Sequence, residues 1–268
     1  MTHNHVQWPR KLDLFGVQVS ATTYDEVVQA TLETAERNQS ALVTAHAVHA
    51  IVCAATNRGL RNKINQFDAV CPDGQPVRWS LNWLYKTGLR DRVYGPELMR
   101  CMLKACAASK VPVYFYGSTP EVIDQLNNSL SKAFPDLEIA GSESPPFRKL
   151  SEEEKVATAN RINESGAKVV FVGLGAPKQD EVAFEFRGSV NAVLVCVGAA
   201  FDFHAGNKKM APGWMQKLGL EWFFRLGCEP RRLFWRYLST NSVFLWKLFG
   251  YTCLKLVGKI PAKQESSA

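Results

Sequence analysis

Several chemistries have no foothold in this sequence. The seven cysteines (Cys53, Cys71, Cys101, Cys106, Cys196, Cys228 and Cys253) include no C-x-x-C pair, no His stands at zinc-finger spacing, and the count is odd. Reduced thiols in a cytosolic protein fit this usage, and a structural metal does not. There is no D-x-D sequence, the usual divalent-metal clamp for sugar nucleotides, and no G-x-S-x-G elbow to support acyl transfer. The opening stretch from Met1 to Lys11 lacks the apolar core of a signal peptide. In the last quarter the longest uncharged run, Tyr237 to Trp246, has ten residues, well short of the ~18 needed to span a bilayer. Internal repeats, Ser/Gly linkers and low-complexity tracts are also missing.

What remains is ordinary globular composition: 268 residues, 46% apolar and 21% charged, enough for one large domain or two small ones. The net charge of +7 is unevenly placed, because the stretch from His204 to the end holds 11 Lys+Arg against 3 Asp+Glu, or +8, which leaves −1 for the rest. That same stretch carries Trp214, Trp222, Trp235, Trp246 and five phenylalanines. A near-neutral body with a basic, aromatic tail implies an anionic partner met from the aqueous side.

From about Leu42, short β-branched or aromatic runs alternate with helix-period segments, the pattern of a parallel α/β architecture. Strands are expected at Ala41–Thr44, Ala69–Cys71, Val111–Tyr116, Leu137–Ala140, Val169–Gly173 and Ala192–Val197, several of them apolar throughout, as in strands covered on both faces. Helices are expected at Asp25–Arg37, Val48–Ala55, Glu97–Ser109, Pro120–Phe134, Ser151–Ser165 and Pro177–Phe186, and a small leading β element around Leu12–Val19. The alternation stops near Gly206, dividing a 1–205 α/β domain from a 206–268 helical appendage. There Arg232, Arg236, Lys247, Lys255 and Lys259 share one half of a helix, with Leu238, Leu245, Phe249 and Leu256 opposite. Gly250 and Gly258 favour two helices, or one that frays, over a single rod.

In open α/β sheets ligands bind beyond the carboxyl ends of strands, so the residues just after each strand are the informative ones. Asp73 follows an apolar strand between Pro72 and Gly74: it reads as a rigidly held general base or as a common turn Asp. Gly117-Ser118-Thr119-Pro120 is either an ordinary capped turn or a phosphate-binding helix start. Gly173-Leu174-Gly175 opens like a dinucleotide fingerprint, but Lys178 stands where the third Gly belongs and Pro177 interrupts, which disfavours a dehydrogenase. Lys178 and Gln179 reach a diphosphate and a sugar hydroxyl, or simply begin a solvated helix. Arg92, near a Gly95-Pro96 turn, suits a phosphate or a surface ion pair with Asp91 or Glu97. His46 and His49 are placed in the following helix, as capping or half-buried residues.

Taken together, Thr44-x-His46, Pro72-Asp73-Gly74, Arg92-Val93-x-Gly95-x-Glu97-Leu98, Gly173-Leu174-Gly175-Ala176-Pro177-Lys178-Gln179-Asp180, Gly198-x-x-Phe201-Asp202, Ala205-Gly206, Ala211-Pro212, Gly219-Leu220-Glu221-Trp222-Phe223-Phe224-Arg225-Leu226 and Glu229-Pro230-x-Arg232 resemble the WecG/TagA/CpsF glycosyltransferases in order and spacing. The resemblance implies a Rossmann-like core and an inverting, metal-independent transferase without cofactor. Such an enzyme moves a sugar, commonly N-acetylmannosamine or its uronic acid, from UDP to an undecaprenyl-diphosphate-linked sugar at the cytoplasmic membrane face, in cell-surface polysaccharide biosynthesis. It casts Asp73 as base, with Thr44, His46, Arg92 and Gln179 around the reacting sugars. Gly95, Gly117, Gly173, Gly175, Lys178 and Asp202 fall to the donor. The tail becomes a mobile membrane-docking appendage whose Arg225, Arg231, Arg232 and Arg236 close over diphosphates. His46 replaces the family's usual Asn, Glu97 a usual Asp and Asp180 a usual Glu, and Lys208-Lys209-Met210 stands where an Arg is frequent.

The competing expectation is a membrane- or nucleic-acid-binding regulator with the body as scaffold. The neutral body argues against nucleic acid as a partner; a homo-oligomer stays open.

Overall fold

The computed structural model describes residues 6–258, the side chains of Lys217 and Arg232 excepted. Strands β1 (Lys11–Leu14) and β2 (Val17–Ser20) form the leading hairpin. Its two turn residues, Phe15 and Gly16, have φ of 62° and 86°, which matches the twist of a two-residue hairpin turn.

The body follows as α1 (Tyr24–Glu36), β3 (Ala41–His46), α2 (Val48–Thr56), α3 (Arg58–Ile64), β4 (Ala69–Pro72), α4 (Gln75–Tyr85) and α5 (Gly95–Ser109). It continues through β5 (Val113–Gly117), α6 (Pro120–Ala133), β6 (Ile139–Glu143), α7 (Glu152–Glu164), β7 (Val169–Gly173), α8 (Lys178–Glu185), β8 (Val193–Cys196) and α9 (Ala200–His204). Capping boxes at Thr23 and Ser151 start α1 and α7. Thr119 accepts from the Val122 N–H to start α6, so the Gly117–Pro120 segment is a capped turn.

Six strands pair in parallel in the order β4-β3-β8-β7-β5-β6. Successive residues of a strand point to opposite faces, and the core divides accordingly. Val170, Val172, Leu194 and Cys196 pack on one side of the sheet, with residues of α2, α3, α4 and α8. Val169, Phe171, Val193 and Val195 pack on the other, with residues of α5, α6 and α9. This is the expected Rossmann-like architecture. The connections leaving β3 and β5 run to opposite edges of the sheet, and the crevice at the strand carboxyl ends lies between them.

The appendage comprises α10 (Gly213–Lys217), α11 (Glu221–Cys228) and α12 (Pro230–Leu256). Here the expectation of two helices or a fraying one is corrected, because α12 runs without interruption for 27 residues through Gly250. One Gly costs a helix only ~1 kcal/mol against Ala, and tertiary contacts hold α12 on both sides of it. Phe244 and Tyr251 each pack edge-on against Phe15 of the hairpin at 5.1 Å, and the Tyr251 hydroxyl donates to Asp13 at 2.8 Å. Gly258 lies past the helix end, and Lys259 is outside the described residues.

Leu233, Thr240 and Phe244 bury one side of α12, while Trp235, Leu238, Leu245, Trp246, Phe249 and Leu256 are exposed on the other. The apolar stripe read from the sequence therefore faces outward. Two of the cations opposite it turn toward the body: Arg236 lines the crevice, and the Lys255 ammonium bonds the Trp83 carbonyl.

Candidate active site

The crevice holds two adjoining cavities. The larger, about 760 Å³, sits over the ends of β3, β7 and β8, and Gly175, Lys178, Gln179, Gly198 and Lys209 are among its walls. The smaller, about 360 Å³, lies between α4, α11 and α12, with Gln75, Trp222, Tyr237, Asn241 and Leu245. Asp73, Tyr94, His49, Arg225 and Arg236 line both.

Local backbone bonds fix Asp73. Its N–H donates to the His46 carbonyl at 3.0 Å, and the preceding Pro72 carbonyl accepts from the Val93 N–H at 3.0 Å, so the ends of β3 and β4 and the segment before α5 are tied together. Gly74, at φ 88°, turns the chain straight into α4, a conformation that favours glycine. The Asp73 carboxylate accepts from the Gly95 N–H at 3.4 Å, at the positive end of α5. Its Oδ1 lies 4.0 Å from Arg92 Nη1.

Burial pushes the Asp73 carboxyl above its ordinary range; Arg92 opposes the shift and the Glu221 carboxylate adds to it. Burial works against the Arg92 charge too, but Asp73 and Glu221 raise its pKa above the ordinary value.

The arginines form an organised cluster. Arg92 stacks 4.4 Å from the Tyr94 ring centroid and bonds Glu221. Arg225 donates to the Tyr94 hydroxyl at 2.9 Å, lies 2.7 Å from Glu221 and stands over Phe203 at 5.3 Å. The Nε atoms of Arg225 and Arg236 are buried with no hydrogen-bond partner among the described residues. His49, between the cavities, has its pKa lowered by burial and by Arg236.

Asp73, Arg92, Lys178, Gln179, Gly175, Arg225 and Arg236, all named from the sequence, meet at this crevice. Others serve from beneath or outside it. His46 is the last residue of β3 and not a helix residue; like Thr44 it is fully buried and lines neither cavity. Thr44 donates to Asp180 Oδ1 at 2.7 Å, and His46 Nε2 stands 3.1 Å from the same oxygen, a buried layer under the floor. Gln179 joins that floor to the cavity: its side chain accepts from the Gly175 N–H at 3.2 Å.

Gly117 and Gly173 also stay out of the cavities, and their part is close approach. A Cβ on Gly117 would lie 2.7 Å from the Gly173 backbone, and one on Gly173 would lie 2.6 Å from the Phe201 ring. Gly95 packs likewise against the Val197 carbonyl. Asp202 is 3.5 Å from the Lys208 ammonium at the rim. Arg231 is exposed and lines neither cavity; the Arg232 side chain lies outside the described residues. The Arg92 ion pairs with Asp91 or Glu97 expected as the alternative give way to Glu221, while Glu97 pairs with Arg100 instead.

Sequence reasoning assigned no role to Glu221, Tyr94 or Tyr237. Glu221 is named within a quoted motif, which was the available signal, whereas Tyr94 stands at an unspecified position of one. Among the described residues no group of three or more His, Cys, Asp or Glu side chains is placed to hold a metal ion, and no helix is long and apolar enough to cross a membrane.

The site is thus a crevice at the strand carboxyl ends of a doubly wound parallel sheet, with Asp73 set between a cavity lined by arginines and a larger one lined by arginines and lysines, the place where such sheets bind ligands. The sequence profile of the Glycosyl transferase WecG/TagA/CpsF family matches residues 12–256. The chain belongs to that family and is a glycosyltransferase, which replaces the reading of the body as a regulator's scaffold. It is similar to the N-acetylglucosaminyldiphosphoundecaprenol N-acetyl-beta-D-mannosaminyltransferase of Bacillus subtilis (strain 168), with 29% identity over 191 residues, 71% of each chain.

Proposed function

We propose that this glycosyltransferase moves a sugar, N-acetylmannosamine or a related hexose or uronic acid, from a UDP-sugar to an undecaprenyl-diphosphate-linked sugar, with inversion and without a metal. The observation that carries the reading is that Asp73 lines both cavities. A base at the junction of a donor chamber and an acceptor chamber suits a single displacement. Asp73 takes the acceptor hydroxyl proton, the oxygen attacks the anomeric carbon, and the bond from that carbon to the diphosphate oxygen breaks with its electron pair on UDP. The donor diphosphate lies in the larger chamber, where Lys178, the α8 N-terminus and Arg236 stabilise the negative charge that develops. The acceptor sugar enters the smaller chamber beside Trp222 and Tyr237, aromatic faces suited to a pyranose ring. The name of the Bacillus subtilis relative supports N-acetylglucosamine as the acceptor sugar and N-acetylmannosamine as the one transferred.

The outward apolar face of α12 supports docking on the inner face of the cytoplasmic membrane, where a lipid-linked acceptor is held. Trp235, Trp246 and Phe249 suit the interface, and basic residues of the appendage draw it to anionic lipid.

The test is UDP release from a panel of UDP-sugars, with a short-chain polyprenyl-diphosphate N-acetylglucosamine acceptor, in the presence and absence of EDTA. Turnover that survives EDTA, with an anomeric configuration opposite to the donor's by NMR, is the expected outcome. Strict EDTA sensitivity or a retained configuration refutes the mechanism.

A further inference from the structure

Glu221 belongs to the appendage, yet it is nearly buried at the heart of the site, 7% exposed. Its Oε2 accepts from Arg92 Nη2, and its Oε1 is 2.7 Å from Arg225 Nη2. The other terminal nitrogen of Arg92 stops 4.0 Å from Asp73 Oδ1, beyond hydrogen-bonding distance. The cation nearest Asp73 therefore bonds a different carboxylate. A carboxylate paired directly with an arginine is held in its charged form and is a weak base, and general-base efficiency follows basicity.

We infer that Glu221 is a positioning residue for the base: by engaging Arg92 and Arg225 it keeps both guanidinium groups off Asp73, which stays free to accept the acceptor's proton. The inference rests on the reading of Asp73 as general base. The other charged or titratable groups around Asp73 and its larger cavity are Tyr24 from α1, His49 from α2, Cys71 from β4, Asp91, Arg92 and Tyr94 around the start of α5, Lys178 from α8, Lys208 and Lys209 after α9, Arg225 and Cys228 from α11, and Glu229 and Arg236 at and in α12. Without the Glu221 charge, Arg92 has Asp73 as its nearest remaining carboxylate, and the surrounding cations all act to depress it. Because Glu221 lies on α11, Asp73 is unencumbered only while the appendage is seated.

The experiment is Glu221→Gln in the full chain, with kcat followed against pH and KM measured for the UDP-sugar. The acid limb of the kcat profile is expected to move to lower pH, with kcat at its plateau about tenfold down, while Glu221→Asp, which keeps the charge, stays close to the wild-type limb. A purely structural role lowers the melting temperature and raises KM but leaves the limb in place, and that result overturns the inference. Asp73→Asn separates the two levels: if it stays active the base reading itself falls, whereas an inactive Asp73→Asn beside an unmoved limb in Glu221→Gln sinks only the role of Glu221. Should Glu221→Gln fail to fold, a carbon-13 NMR titration of the wild-type Asp73 carboxyl decides. Because burial alone raises that carboxyl, the wild-type titration is compared with that of Glu221→Gln combined with Arg225→Gln, which strands one cation fewer: an Asp73 carboxyl that titrates lower in the double variant than in wild type is expected, and one that titrates at or above the wild-type value overturns the proposal.

Discussion

At neutral pH the ionised Asp73 carboxylate is less favoured in the folded chain than in the unfolded one, because burial raises its pKa above the ordinary 3.8. The native state binds this proton more tightly than the unfolded state does. Stability from the group is therefore highest at low pH and falls as pH rises from 3.8 through the raised folded value. Asp73→Asn removes that charge. Turnover should drop by about 10²- to 10⁴-fold, while calorimetry at pH 7 should find a melting temperature no lower than wild type. A clearly lower one would mean that the carboxylate serves chiefly to hold the arginines. His46 and Asp180, two positions where the resemblance implies Asn and Glu, touch each other at 3.1 Å in a layer with no exposed side chain. A longer ring at one position meets a shorter acid at the other. His46→Asn alone should destabilise the chain, and His46→Asn with Asp180→Glu should recover part of the loss, with a coupling of about 0.5–3 kcal/mol in a double-mutant cycle. Simple additivity in denaturant melts would show that the two positions are independent.

Among the elements, the turns after β5 and β7 depend on glycine where backbones and rings meet. In Gly173→Ala the new Cβ collides with Phe201, so α9 must shift, and α9 carries Phe203 into the larger cavity. The UDP-sugar KM should rise more than the acceptor KM; equal effects on both would point to general loss of folding. Strand β7 falls at its expected bounds because Val-Val-Phe-Val is apolar on both faces, and the other strands shift by one to three residues at their ends, most at β6, expected at Leu137–Ala140 and found at Ile139–Glu143. Helix α4 escaped notice for a physical reason. Val77, Trp79, Leu81 and Trp83 alternate like a strand, and the two Trp side chains that spoil the helical period are exposed. Asp73 was legible because a carboxylate after an apolar strand is a local signal. Glu221 stood in a quoted motif, but its place in the site was not legible, since its partner Arg92 lies 129 residues away and no local pattern encodes such a contact.

At the scale of the whole molecule, the uneven charge is divided between two places. Arg225 and Arg236 line the cavities, so less of the +8 is left for the proposed lipid surface than the sequence count implies. In that proposal the exposed face of α12 adds apolar area. Trp246→Glu combined with Phe249→Glu should abolish cosedimentation with anionic liposomes, yet leave turnover of a short-chain, water-soluble acceptor within about twofold, since solvent-facing substitutions away from a site perturb folding little. Raised salt should weaken liposome binding only in part, because burial of aromatic and aliphatic surface is not screened. Binding that salt abolishes altogether would return the weight to electrostatics.

The placement of Asp73 on the partition between two cavities also bears on traffic through the enzyme. A dead-end pocket would oblige the spent nucleotide and the lengthened lipid to leave by one door, in a set order, each waiting on the other. With a chamber on either side of the carboxylate, the two products of the proposed reaction depart in different directions. In the proposed reaction the nucleotide returns to the water, while the lipid stays at the surface on which the proposed docking sets α12.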